Sequence, residues 1–211
     1  MKFSAYLDDP VIKRLMPALH PVDIDGGEDK PVRDGQRQAS VLMPLIPREA
    51  GWTVLLTQRP ETMPRHAGQI SFPGGRVEPG ETSMHAALRE THEEVGIPKN
   101  EINILGRLDS FNAGSDFRVT PWLGIIWPHA EIIPCPREVD DAFEVPLDFF
   151  MNPDNHSPRT VSYKSKDFTL YDMPYDEPEG IHRNVWGMTA MMLYRLYRRA
   201  YVGDFAHPDM G

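Results

Sequence analysis

The apolar positions of this chain fall in short runs, and each run ends at a proline, a glycine or a polar cluster. Residues 39–46 and 52–57 are apolar and partly β-branched, with Pro47 and Gly51 between them, which predicts two buried strands joined as a hairpin. Residues 59–71 carry Pro60, Pro64 and Gly68 and predict a long loop, closed by Phe72-Pro73-Gly74-Gly75 as a turn of unusual dihedral angles. Loops of that length are usually functional. Glu78-Pro79-Gly80-Glu81-Thr82-Ser83 is a helix start with Thr82 or Ser83 as its N-cap, and Gly96 with Pro98 ends the helix. Further strands are predicted at 102–108, 119–127 and 143–146, with Asn112-Ala113-Gly114-Ser115-Asp116 turning between the first two. Residues 152–183 read as a second long loop region with one short strand at 168–171. Residues 185–201 predict a C-terminal helix: Ala190, Met191, Leu193, Tyr194, Leu196 and Tyr197 recur at helical spacing, with Arg195, Arg198 and Arg199 toward its negative end. Trp186, at its head, is expected to anchor the core.

Ahead of this pattern, residues 10–19 predict a short helix, and 23–31 are polar and glycine-bearing without an apolar period, which reads as a mobile linker. The expected organisation is therefore an extension at 1–37 and one domain at 38–211. Strands, helix, strands and helix in that order predict an α/β fold with a mixed sheet between helices.

Composition narrows the function. With 22 Lys+Arg against 31 Asp+Glu, the net charge of −9 has the wrong sign for a chain held on nucleic acid by bulk charge. The single cysteine, Cys135, excludes an internal disulfide and a cysteine-rich zinc site. No apolar run approaches the roughly 20 residues of a bilayer span, and no basic, apolar and small-residue leader pattern opens the chain, so the expectation is a soluble, cytoplasmic protein that binds neither membrane nor nucleic acid. The 21 prolines, about double the usual share, are spread along the chain and exclude long helical bundles.

The predicted helix after Thr82 carries the chemistry. At about 100° per residue, Met84, Ala87, Leu88, Thr91 and Val95 fall on one arc, and Glu90, Glu93 and Glu94 on a second. One face packs while the other presents three carboxylates, whose oxygens can converge on hard divalent cations. Gly74-Gly75 ends the preceding loop, where a backbone carbonyl can reach the same cation. Glu81 and Arg89 are placed to brace loop against helix, Arg89 as a bidentate clamp. Arg59, Arg65, His66 and Gln69 line the loop and are candidates to contact the phosphates of a ligand.

Gly75-Arg76-Val77-Glu78-Pro79-Gly80-Glu81, seven further residues, and Arg89-Glu90-Thr91-His92-Glu93-Glu94-Val95-Gly96-Ile97 resemble the signature of the Nudix hydrolases, G-x5-E-x7-R-E-U-x-E-E-x-G-U with U apolar. Thr91 is the one departure, where the family usually has an aliphatic residue. Leu55-Leu56-Thr57, Arg59, His66-Ala67-Gly68-Gln69 and Phe72-Pro73-Gly74-Gly75 further resemble the coenzyme A pyrophosphatase branch, as do Val119-Thr120-Pro121, Phe143-Glu144-Val145-Pro146-Leu147 and Val185-Trp186-Gly187-Met188-Thr189-Ala190. Pro60 and Pro64 depart from that branch's pattern, Arg65 standing one place after the usual arginine.

The resemblance implies a Nudix-type α/β/α sandwich and metal-dependent cleavage of the diphosphate of coenzyme A to 3′,5′-ADP and 4′-phosphopantetheine. It implies Mg2+ or Mn2+ held by Glu90 and Glu94 with Glu93 and the Gly75 carbonyl, oriented by Glu81 and Arg89. Glu93 and Glu94 are its candidate catalytic carboxylates. The general base stays open among Glu93 and the later acids Glu138, Asp140, Asp141 and Glu144. The implied partner is a small-molecule nucleoside diphosphate, and the reading allows a homodimer. Two alternatives are a Nudix diphosphatase for ADP-ribose or a dinucleotide, and a non-catalytic nucleotide-binding module.

Overall fold

The computed structural model describes residues 3–22, 36–62, 67–113, 117–163 and 166–205. The expected linker at 23–31 lies outside them. In chain order the elements begin with helix α1 (Pro10–Leu15), strands β1 (Arg37–Arg48), β2 (Gly51–Gln58), β3 (Ile70–Ser71) and β4 (Gly74–Arg76), and helix α2 (Ser83–Val95). Strands β5 (Ile102–Arg107), β6 (Phe111–Ala113), β7 (Phe117–Ile126) and β8 (Asp141–Pro146) follow, then helix α3 (Leu147–Met151). Strands β9 (Ser157–Tyr163), β10 (Lys166–Asp176) and β11 (His182–Trp186) lead into helix α4 (Gly187–Tyr197), which closes with a π-helical turn at Arg198–Val202.

Strand β1 organises an eight-stranded mixed sheet. It pairs in parallel with β7 and antiparallel with β4 through 39–41 and with β2 through 45–48. Pro44 lies where β1 exchanges β4 for β2, between the two registers. Alternation along β1 divides the core in two. Met43 and Leu45 face α1, α3 and α4 in a cluster with Ile12, Leu15, Phe150, Leu193 and Leu196. Leu42 and Ile46 face α2 in a cluster with Ala87, Val95 and Trp122. Helices thus cover both faces of a mixed sheet, the α/β/α sandwich expected from the sequence.

Helix α2 starts and stops as its sequence predicts. Thr82 is the N-cap, its side chain accepting from His85 N at 3.2 Å, and Gly96 ends the helix at φ 75°. Thr91 is fully buried and donates to Ala87 O at 2.7 Å, so its hydroxyl is satisfied within the helix and an aliphatic residue is not required there.

Three expectations are corrected. Ser157–Tyr163, Lys166–Asp176 and His182–Trp186 form a three-stranded antiparallel sheet, β11-β10-β9, instead of a loop with one short strand. Its prolines are tolerated because Pro158 lies in edge strand β9, and Pro174 lies where β10 pairs only with β11. Gly74 and Gly75 belong to a short strand, not a turn. Glycine is needed there for close approach: a β-carbon at 74 would fall 2.4 Å from Ser40 O. Trp186 ends β11 at 40% exposure, with the Arg159 guanidinium 5.8 Å from its ring centre, so it is no core anchor.

Candidate active site

Helix α2 lies against β4, and this packing brings the carboxylates to the glycine strand. A β-carbon on Gly75 would meet the Glu90 carboxyl carbon at 2.4 Å, so the missing side chain is what lets Glu90 lie over the strand. One turn on, Glu94 is 3% exposed and accepts from Gly74 N at 3.3 Å. The helical wheel places it with the presented acids, yet it is buried where the loop from β7 to β8 meets the helix end. That loop hooks onto the helix end through Ile133 N to Val95 O at 2.9 Å and Cys135 N to Glu94 O at 2.8 Å.

The hooked loop carries Glu138 into the site. Carboxylate oxygens of Glu90, Glu94 and Glu138 all lie within 4.8 Å of one another. Burial pushes the Glu94 carboxyl up to about 8, the Arg59 charge and the Gly74 amide only partly opposing it, with Glu90 and Glu138 adding to the rise. Glu90 is also raised by burial, against the pull of Arg89. Three convergent acids, one of them buried and, among the described residues, with its cation partner Arg59 no nearer than 4.0 Å, are the oxygen donor set that a hard divalent ion satisfies.

Arg89 fastens the arrangement. Its Nε and Nη2 donate to Glu81 Oε1 and Oε2 at 3.0 and 3.1 Å, and Nη2 also donates to Arg76 O at 3.0 Å. Its Nη1 reaches Glu90 Oε1 and Glu93 Oε2, each at 2.9 Å. The Arg89 bonds hold the Glu81 carboxyl below its ordinary range, and Glu81 in turn caps the approach by accepting from Glu78 N at 3.1 Å. One guanidinium therefore ties loop, strand and helix into a unit.

The structure brings Gly75, Glu81, Arg89, Glu90 and Glu94 together. Glu93 stays half exposed on Arg89, outside the convergent set, and Glu138 holds the third place. Arg59 stands beside the cluster, its Nη1 4.0 Å from Glu94 Oε1, and its Nε is buried without a hydrogen-bond partner among the described residues. Gln69 meets it through the backbone, Arg59 N donating to Gln69 O at 3.1 Å. Arg65 and His66 lie outside the described residues.

Of the other acids of the later segment, Glu144 and Asp141 have their carboxylates engaged elsewhere. Glu144 accepts from Arg48 and Thr53; burial alone would raise its carboxyl, but these bonds hold it below the ordinary value. Asp141 accepts from Arg183, and Asp140 contributes a backbone bond to Gln58 O at 2.9 Å. Sequence spacing has no means of separating Glu138 from these neighbours, because its place depends on the backbone hook to α2.

Residues 36–164 match a family model described as the NUDIX domain. The chain is 35% identical over 174 residues to the Nudix hydrolase NudL of Photorhabdus laumondii, covering 82% of this chain and 90% of that protein. It is 38% identical over 162 residues to NudL of Enterobacter sp. strain 638, covering 76% and 81%. Among solved structures, a MutT/nudix family protein from Enterococcus faecalis is 17% identical at a TM-score of 0.49, covering 85% of this chain and 67% of that one. Among the described residues, no helix is long and apolar enough to cross a membrane.

Proposed function

The chain belongs to the Nudix hydrolase family, and from that premise we propose that it hydrolyses the diphosphate linkage of coenzyme A or its derivatives to 3′,5′-ADP and 4′-phosphopantetheine. The observation that carries the diphosphatase reading is the convergence of Glu90, Glu94 and Glu138 beside Gly75. Support for coenzyme A as substrate is the run of upstream and C-terminal segments, from Leu55-Leu56-Thr57 to Val185-Trp186-Gly187, that resemble the coenzyme A branch.

Nudix enzymes use divalent metal ions, here Mg2+ or Mn2+. Glu90, Glu94 and Glu138 would hold the cation, with the Gly75 carbonyl and Glu93 as outer candidates. When bound, such an ion neutralises the diphosphate and makes its phosphorus open to attack by water. The chain's own groups do the rest. Arg89 and Glu81 fix the carboxylates in place before substrate arrives, which removes reorganisation from the reaction. Arg59 supplies a phosphate with a positive donor beside the carboxylate cluster. The carboxylate set accepts the proton of the attacking water.

The experiment is a comparison of kcat/KM for coenzyme A, 3′-dephospho-coenzyme A and ADP-ribose in the presence of Mg2+. Coenzyme A is expected to be the preferred substrate. Preference for ADP-ribose would replace the substrate assignment while leaving the diphosphatase chemistry standing.

A further inference from the structure

Arg183 is buried in β11, its side chain only 7% exposed, on a strand whose alternate residues His182, Asn184 and Trp186 face outward. Its guanidinium donates from Nη1 to Gln58 Oε1, from Nη2 to Asp141 Oδ2 and from Nε to Glu177 Oε1, and it lies 4.1 Å from the ring centre of Phe143. All of its nitrogens are thus committed within the protein, so it is no ligand contact. Its partners are the informative part. Gln58 is the last residue of β2 and is followed by Arg59, the cation beside Glu94. Asp141 is the first residue of β8 and ends the loop that carries Glu138 to the carboxylate cluster. The two segments also meet directly, Asp140 N donating to Gln58 O at 2.9 Å.

Each wall of the site therefore ends on the same planar fork. We propose that Arg183 is a positioning residue that clamps the ends of β2 and β8 together and so sets where Arg59 and Glu138 stand relative to Glu94. This rests on the functional reading above, since Glu138 is taken there as a cation ligand. A guanidinium suits the task because its rigid donors fix two partners at once, whereas an ammonium offers a point charge on a flexible stem. Glu177 holds the third edge, leaving the fork no freedom to rotate. The effect on the site is indirect, through the segments that carry Arg59 and Glu138; a group bonded directly to a ligand typically carries about 10- to 100-fold of metal affinity, and a clamp one step further out belongs at the low end.

The test measures Mn2+ binding to the substrate-free chain by electron paramagnetic resonance, with thermal melting and steady-state kinetics on the same preparations. Arg183→Met, which keeps the burial and removes the fork, is expected to weaken Mn2+ binding about 10-fold. Arg183→Lys is expected to recover only part of it. In a Glu138→Gln background, Arg183→Met is expected to cause no further loss of Mn2+ binding, because of the two residues it positions only Glu138 offers the cation an oxygen. Asp141→Ala removes one arm at a side chain that is half exposed and is expected to weaken binding in the same direction, which keeps the proposal testable should Arg183→Met melt too low to assay. Unchanged Mn2+ affinity in a folded Arg183→Met or Asp141→Ala chain would overturn the clamp, as would an equal loss in both Glu138 backgrounds. Failure of the unsubstituted chain to bind Mn2+ would overturn the functional reading itself.

Discussion

Gly75 and Glu90 occupy one another's space: the carboxyl carbon of Glu90 lies 2.4 Å from where a β-carbon on residue 75 would stand. A single methyl group would have to displace the carboxylate, the strand or both. Gly75→Ala is therefore expected to lower kcat about 100-fold, the scale of an ångström's misplacement at a reacting centre. Circular dichroism and melting should show a folded chain, and near-normal turnover would mean that Glu90 does not need this position.

Glu94 links activity to the pH dependence of stability. Its carboxyl is at about 8 in the folded metal-free chain against 4.5 for the ordinary group, so the folded state binds this proton more tightly than the unfolded state. Stability from that difference is fully present below about pH 4.5 and is lost as pH rises through about 8. Glu94→Gln removes the buried charge at nearly constant volume. In chelator, its melting temperature is expected to fall less than that of the unsubstituted chain between pH 6 and pH 9, while its diphosphatase activity disappears. Parallel melting curves against pH would contradict the burial argument.

The positions of Glu93 and Glu138 give opposite expectations from residues of the same type. Glu93 is half exposed and bonded to Arg89, whereas Glu138 stands among the convergent oxygens. Glu138→Gln is expected to lower kcat at least about tenfold more than Glu93→Gln, the difference being the loss of a group that acts at the reacting centre. Turnover measured at saturating Mg2+ for both variants decides it, and a larger loss in Glu93→Gln would return that residue to the metal set.

The contrast also marks what the sequence could carry. Glu81, Arg89, Glu90 and Glu94 are legible because their relation is set by one helix and the turn before it, where spacing alone fixes the face. Glu138 is not, because its place follows from Cys135 and Ile133 bonding to the end of α2, a contact between segments far apart in the chain. The three-stranded sheet at 157–186 escaped for a related reason. Its prolines stand where a strand has one neighbour, and that can be known only once the pairing is known. Trp186 looks like a core residue by type, yet it ends a strand whose alternation turns it outward.

Arg59 offers a test of substrate binding apart from metal binding. Its buried Nε lacks a hydrogen-bond partner among the described residues, and its Nη1 stands 4.0 Å from Glu94. A phosphate oxygen would meet the exposed part of its guanidinium. Arg59→Ala is expected to raise KM for coenzyme A about tenfold with a smaller change in kcat, the signature of lost ground-state binding. A fall in kcat at unchanged KM would instead place Arg59 with the residues that act only in the transition state.

The most direct measurement is an anomalous difference map from crystals soaked in Mn2+. A peak bounded by the carboxylates of Glu90, Glu94 and Glu138, next to Gly75, is the predicted result. A map with no peak there, or with Mn2+ held at another group of residues, would contradict the account.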